Sequence, residues 1–356
     1  MKTSLSFAMF ASILSWGTFP ANATGSLQAI SVEHYTGRCI DTANNADSDT
    51  NCEVSGVARI DQRLFFANDK PIQGRGTSSL FSIPLPTPEN ITQLPLEFEH
   101  LSYAQGELIG ATEKLEGLTH VTFADKLYGI ATPAFSKAAI PASNQILYWP
   151  VDRPEEAKVL GKSDTIRKQM ATLVGQPFFQ VEGIAVAPGN WLLLGIRKIG
   201  ENSKTATPEF IILRAPLAMK NNEVALAGDF EHAYRFKPQV PGDSRPLSLS
   251  GLEYDPYNAR LLATTSFEQG EEIGGYLWTL PLSLLTPEGT GAPQPILGPD
   301  GAPLWFDNKP EGVEVLSKTQ VLIVHDDDRV QVATTANGKA KQRNEFTYSV
   351  IELRAP

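Results

Sequence analysis

Five positions in this chain carry a serine or glutamate followed at once by glycine and an aliphatic residue: Ser55, Glu116, Glu182, Ser250 and Glu311. Successive members stand 61, 66, 68 and 61 residues apart, a regularity that points to a repeated structural unit. Hydroxyl and carboxylate oxygens, with no His or Cys at the equivalent places, select hard cations such as Ca2+ or Mg2+ over zinc or copper. If the five converge, three carboxylates repel one another and lose hydration, so that protons or a cation must join them. The other reading is that each Glu hydrogen-bonds the backbone of the next unit and only ties the repeat together. At the level of sequence both stand.

The elements that position these residues are also repeated. Each anchor opens a short apolar strand, then a polar break, then a second apolar strand, as in SGVARIDQRLFFANDK from Ser55 and EGVEVLSKTQVLIVHDDD from Glu311. The breaks, such as Pro188-Gly189-Asn190 and Pro256-Tyr257-Asn258, suit hairpin connections. Both strands are apolar at nearly every position, as expected of sheets covered on both faces. Units that cannot bury their faces alone stack on copies of themselves. Radial stacking of four-stranded antiparallel sheets predicts an all-β, five-bladed β-propeller. The stretch from Glu311 to the end and the segment before Ser55 together make one more period, so the N-terminal segment is expected to complete the last blade and close the ring. Ser163 to Val174 has a helical period and predicts one short helix between strands.

An antiparallel hairpin sets the start of its first strand beside the end of its second. The anchors therefore share one face with Asn68, Asp69 and Lys70, with Ala131 and Thr132, with Arg197 and Lys198, with Ser266 and Glu268, and with His325 to Asp328. Lys70, Arg197 and Lys198, with Glu268 beside them, are candidates for holding an anionic substrate. Asp69, Asp326 and Asp328 are candidates for orienting water or acting as base. Taken singly, each has a plainer reading as a solvated turn aspartate or a surface charge, and His325 reads as a strand-end histidine.

The ligand order Ser, Glu, Glu, Ser, Glu resembles that of the calcium-activated nucleotidase (apyrase) family, five-bladed propellers with Ca2+ in the central channel. The resemblance implies that Ser55, Glu116, Glu182, Ser250 and Glu311 hold Ca2+. In that family the first hairpin ends in a stretch like LYSVDDRTG, and this chain has LFFANDKPI from Leu64 to Ile72. Asp69 matches the second aspartate and Lys70 the arginine, whereas Asn68 replaces the first aspartate of a pair that positions substrate and attacking water. The family's basic pair at the third hairpin is matched by Arg197 and Lys198. The likeness covers the inner strands of each blade. A weaker one runs to secreted phytase-like propellers. Two functions follow: metal-assisted hydrolysis of a phosphoanhydride or phosphoester, or a non-catalytic propeller with structural Ca2+ that binds a protein or glycan.

The first 23 residues, with Lys2, an apolar run from Leu5 to Trp16 and Ala21-Asn22-Ala23, read as a secretory signal peptide, leaving 24–356 as one propeller domain, exported to the periplasm or beyond. Export makes a Cys39–Cys52 bridge the default state of the two cysteines, worth ~3 kcal/mol in the chain-entropy model. A net charge of -10 argues against nucleic acid, and no run of apolar residues is long enough to span a bilayer. The chain has no Gly-x-Ser-x-Gly and no His-Glu-x-x-His. Gly161-Lys162-Ser163 imitates a P-loop end, but Glu156 stands where its first glycine belongs. A monomer is expected.

Overall fold

The computed structural model describes residues 26–40, 51–72, 78–85, 94–286, 291–327, 333–334 and 339–354. The expected signal peptide and Asp328 lie outside the described residues. The architecture is the expected one: five antiparallel sheets close into a five-bladed propeller.

Blade 1 consists of Val54–Ile60, Arg63–Ile72, Ser78–Pro84 and Ser102–Tyr103, and blade 2 of Leu115–Phe123, Lys126–Pro133, Leu147–Pro150 and Lys158–Val159. Blade 3 runs Phe178–Ala187, Trp191–Gly200, Thr207–Lys220 and Glu231–Arg235, with Glu223–Leu226 as a side hairpin. Blade 4 runs Ser248–Asp255, Arg260–Gln269 and Glu272–Pro281, and the last of these pairs with both Gln294–Pro295 and Trp305–Phe306. Blade 5 takes Pro310–Val315, Gln320–His325 and Glu345–Leu353 from the C-terminal end of the chain, and its outer strand, Ala29–Arg38, from the N-terminal end. The N-terminal segment thus fastens the ring, as expected. The Cys39–Cys52 disulfide joins the end of that outer strand to the entry of blade 1.

Five apolar clusters fill the five gaps between neighbouring blades, so each sheet is covered on both faces. The helix spans Ser163–Val174, the predicted range, and turns Ile166, Met170 and Val174 into the cluster between blades 2 and 3. It ends at Gly175, whose φ of 69° is a left-handed cap that glycine adopts without penalty. Among the described residues no helix is long and apolar enough to cross a membrane.

Two local features bring the anchors to the axis. In each inner strand the pairing skips the anchor: Val54 pairs Asn68 and Gly56 pairs Ala67, with the same step at Glu116, Glu182 and Ser250, and a wider one at Glu311. Each anchor therefore stands in a β-bulge, which re-aims its side chain away from the ladder. The glycine that follows lets neighbouring inner strands touch. A Cβ on Gly117 would lie 2.8 Å from Ile184 of the next blade, one on Gly251 would lie 2.0 Å from the Glu311 carbonyl, and one on Gly312 would lie 2.8 Å from the Val57 nitrogen, closing the circle. Gly251→Ala is therefore expected to cost roughly 3 kcal/mol or more through overpacking, visible as a lowered thermal midpoint. An unchanged melt would show that the inner strands have room to separate.

Candidate metal centre

Below the anchors the channel pinches. The glycines and their aliphatic neighbours leave a cavity of about 10 Å³, room for about one water molecule. At this constriction Glu116, Glu182 and Glu311 each present a carboxylate oxygen, and the three atoms lie within 4.8 Å of one another. All three residues are buried, at 4%, 2% and 1% exposure. Ser55 and Ser250 hold the equivalent bulge positions and are fully buried, and the Ser250 hydroxyl donates to the Pro310 carbonyl at 2.7 Å. Among the described residues no backbone N–H donates to any of the three carboxylates. Backbone bonds near the anchors tie the blades instead, such as Lys114 N–H to the Asp69 carbonyl at 3.0 Å and Val181 N–H to the Ala134 carbonyl at 2.8 Å.

Three bases lie among the carboxylates. Lys114 Nζ is 3.5 Å from Glu116 and 3.3 Å from Asp69. Lys309 Nζ is 3.0 Å from Glu311 and 3.8 Å from Asp326. Arg197 Nη1 is 3.3 Å from Glu182 and 3.8 Å from Glu311, while its Nη2 donates to Glu268 at 3.0 Å. Sequence reasoning missed Lys114 and Lys309. The signal was there: they stand two residues before Glu116 and Glu311, each just ahead of the strand that carries its anchor. The same position holds Glu53, Gln180 and Ser248 in the other blades. The Gln180 amide donates to Glu182, and Glu53 takes the Lys70 ammonium at 2.6 Å. Arg197 is itself the extra residue of a bulge, since Lys198 pairs Gln180 while Ile196 pairs Val181. That bulge turns its guanidinium to the axis, and Lys198 stays half-buried beside it.

Burial pushes the Glu116 and Glu311 carboxyls well above the ordinary carboxylate range, and Glu182 adds to both shifts. Burial pulls the Lys114 ammonium down, but Glu116, Asp69 and Glu182 more than reverse it. Burial likewise opposes the charge on Arg197, and Glu182, Glu311 and Glu268 outweigh it, so both bases stay protonated. Counted fully ionised, the buried carboxylates Asp69, Glu116, Glu182, Glu311 and Asp326 face three bases, which leaves two negative charges. Two protons or one divalent cation balance them. The donor set is all oxygen, and Glu311 Oε2 is buried with no hydrogen-bond partner, so the residues fit a hard cation.

The other expected site residues gather on the same face. Asp69 is buried, and burial raises its carboxyl above the usual range against the pull of Lys114. Lys70 and Glu268 are exposed at the rim. The Lys198 ammonium is held below its usual range by the charge of Arg197 and then by burial. Asn68 spends its amide on the Asn51 and Lys70 carbonyls, at 3.3 and 2.7 Å, which fastens the hairpin end. Asp327 accepts the Lys309 N–H at 3.0 Å and the Asn308 amide at 3.0 Å, a structural knot under the site. His325 is fully buried on Ser349, whose hydroxyl also meets His34 at 2.9 Å, and burial pushes its pKa down to about 3, so it stays neutral. A larger cleft, of about 1070 Å³, lies between Glu209–Phe210 and the loop 235–247. Two of its basic side chains are paired, Arg235 with Glu209 at 2.6 Å and Arg245 with Asp243 at 2.8 Å, and Lys237 is exposed at its edge.

The fold and site define a five-bladed propeller with an acidic axial centre. No family model matches the chain, and no curated protein matches it. Among solved structures it is similar to an α-L-arabinofuranosidase from Podospora anserina, at 9% identity and TM-score 0.44, covering 93% of this chain and 97% of that one. It is also similar to the catalytic domain of a Coprinopsis cinerea α-L-arabinofuranosidase, at 10% identity and TM-score 0.42, covering 93% and 98%. A third is the aldose sugar dehydrogenase of Streptomyces coelicolor, at 12% identity and TM-score 0.35, covering 90% and 99%. Likeness at this level does not extend to chemistry.

Removing one base tests the charge balance. Lys309→Met leaves Glu311 without its nearest counter-charge and is expected to cost about 3 kcal/mol in urea unfolding at neutral pH, with part of the loss recovered by adding Glu311→Gln. A change within ~0.5 kcal/mol would mean that the ammonium does not stabilise the centre.

Proposed function

We propose that this chain is an exported propeller whose axial carboxylates bind Ca2+, and that the anchor face hydrolyses a phosphoanhydride or phosphoester. The observation that carries the reading is the pair of negative charges left on the buried carboxylates after Lys114, Arg197 and Lys309 are counted. Glu116, Glu182 and Glu311 would hold the ion, with Ser55 and Ser250 at the remaining ring positions. Bound there, Ca2+ supplies Lewis-acid polarisation of a phosphoryl oxygen. Lys70 and Lys198 at the rim hold the anion. Asp69, whose carboxyl burial raises above the usual range, and Asp326 would take a proton from attacking water. The ligand order shared with the calcium-activated nucleotidases supports this reading, and the formed Cys39–Cys52 bridge supports export.

A second reading has its own observation. The cleft beside the loop 235–247 offers the half-buried ring of Phe236 and two internally paired arginines, Arg235 with Glu209 and Arg245 with Asp243, features that suit a polyhydroxylated ligand. A non-catalytic propeller with structural Ca2+ and a glycan partner fits that cleft.

Ca2+ at 100 times its Kd is expected to stabilise the fold by ~2.7 kcal/mol, and Glu182→Gln or Glu311→Gln to weaken the effect. Because Glu116 and Glu311 lose protons to bind the ion, Ca2+ affinity should rise with pH and binding should release protons, measurable by calorimetry in buffers of different ionisation enthalpy. A melt indifferent to Ca2+, from protein shown to be metal-free, removes the central site. Nucleoside diphosphates and activated phosphoesters, assayed with and without Ca2+, decide between the two readings. Turnover only with Ca2+ is the expected result, and no turnover on any of them leaves the binding propeller.

A further inference from the structure

The three bases share a pattern that charge balance alone does not require. Each touches the axial carboxylates and one acid further out: Lys114 has Glu116 and Asp69, Lys309 has Glu311 and Asp326, and Arg197 has Glu182 and Glu311 with Glu268. Each base therefore has a second partner to retain if its inner one is taken. Arg197 shows this most clearly. Its Nη1 lies at the axis, 3.3 Å from Glu182 Oε1 and 3.8 Å from Glu311 Oε1, and its Nη2 lies toward the rim on Glu268. The guanidinium is fixed from axis to rim but not fully satisfied, for its Nε is buried without an acceptor. Glu311 Oε2, in the same cluster, is buried without a donor.

A hard cation and a guanidinium compete for the same oxygens, because a cation drawing carboxylates to roughly 2.3 to 2.6 Å leaves no lone pair for N–H groups on that side and repels their charge. We infer that Arg197 is the displaceable counter-ion of the axial site: a divalent cation evicts its Nη1 from Glu182 and Glu311, and the guanidinium, tethered by Glu268, turns to the rim and binds an anion. Cation and anion binding are then positively coupled through one side chain, and by linkage each ligand tightens the other by the same factor. The planar fork of arginine suits a tetrahedral oxyanion, which lysine at this position would hold less well. This rests on the cation reading above and specifies the residue through which the ion acts on the anion site.

Two measurements test it. In the wild-type protein, phenylglyoxal modification of Arg197, read by peptide mass spectrometry, should rise severalfold on adding Ca2+, since the side chain is only 6% exposed without it. Calorimetric Ca2+ binding, with and without sulfate as an anion that tolerates Ca2+ in solution, should show sulfate tightening Ca2+ by about tenfold in the wild type. In Arg197→Met, Ca2+ should bind at least as tightly as the wild type does with sulfate, and sulfate should no longer change it. If that variant does not fold, Arg197→Lys is used, and the sulfate effect should fall to a fewfold. Labelling that Ca2+ leaves unchanged, or a sulfate effect as large in the variants as in the wild type, overturns the inference even where Ca2+ binds. If the wild type binds no Ca2+ but Arg197→Met does, the guanidinium holds the site without being displaced, and both the inference and the calcium reading of the native protein fail. If neither binds it, both fail.

Discussion

The fold depends on how closely five inner strands approach one axis. Glycine after each anchor allows that approach, and the bulge at each anchor sends its side chain into the space that remains. The price of this convergence is electrostatic: three carboxylates reach atoms within 4.8 Å of one another where water is almost excluded. Bringing like charges together out of water is unfavourable by several kcal/mol per ion unless opposite charge comes with them. Lys114, Arg197 and Lys309 supply most of that charge, and the remainder is left for protons or a divalent ion.

The centre is built on strands rather than loops, and those strands are held on both faces by inter-blade cores. Such support fixes the oxygens without help from a ligand, which is the condition for a preorganised site. Closure of the ring contributes to the same end. The N-terminal strand Ala29–Arg38 pairs with Glu345–Leu353, and the disulfide at its end leads directly into blade 1, so the seam of the circle is covalently stapled close to Ser55. Blades 5 and 1 are thereby kept in register with the other three.

The rim differs in character from the axis. Lys70 and Glu268 are exposed, and each pairs inward, Lys70 with Glu53 at 2.6 Å and Glu268 with Arg197 at 3.0 Å. Arg197 links the two levels, buried along its length yet bonded to a rim acid. Asn68, in contrast, is turned into the hairpin end, with its amide committed to backbone carbonyls. The acidic pair expected there is thus reduced to Asp69, which shares Lys114 with the axial Glu116.

Much of this was legible in the chain. The repeated oxygen-glycine-aliphatic anchor, its even spacing and the two apolar strands after it determined a five-bladed ring, the face on which the anchors lie, the helix Ser163–Val174 and the pairing of Cys39 with Cys52, because these follow from local periodicity and from counting. The counter-ions were half visible: Lys114 and Lys309 stand two residues before an anchor, and the hairpin argument put Arg197 on the anchor face. That Arg197 reaches the axis was not visible. Its reach to the axis depends on a bulge in the second strand of blade 3, where a single extra residue reverses which face a side chain takes, and periodicity cannot announce that. Only the closed ring decided which charges meet, because Glu182 and Glu311 come from blades that are not neighbours and share one guanidinium only when all five blades surround a common axis.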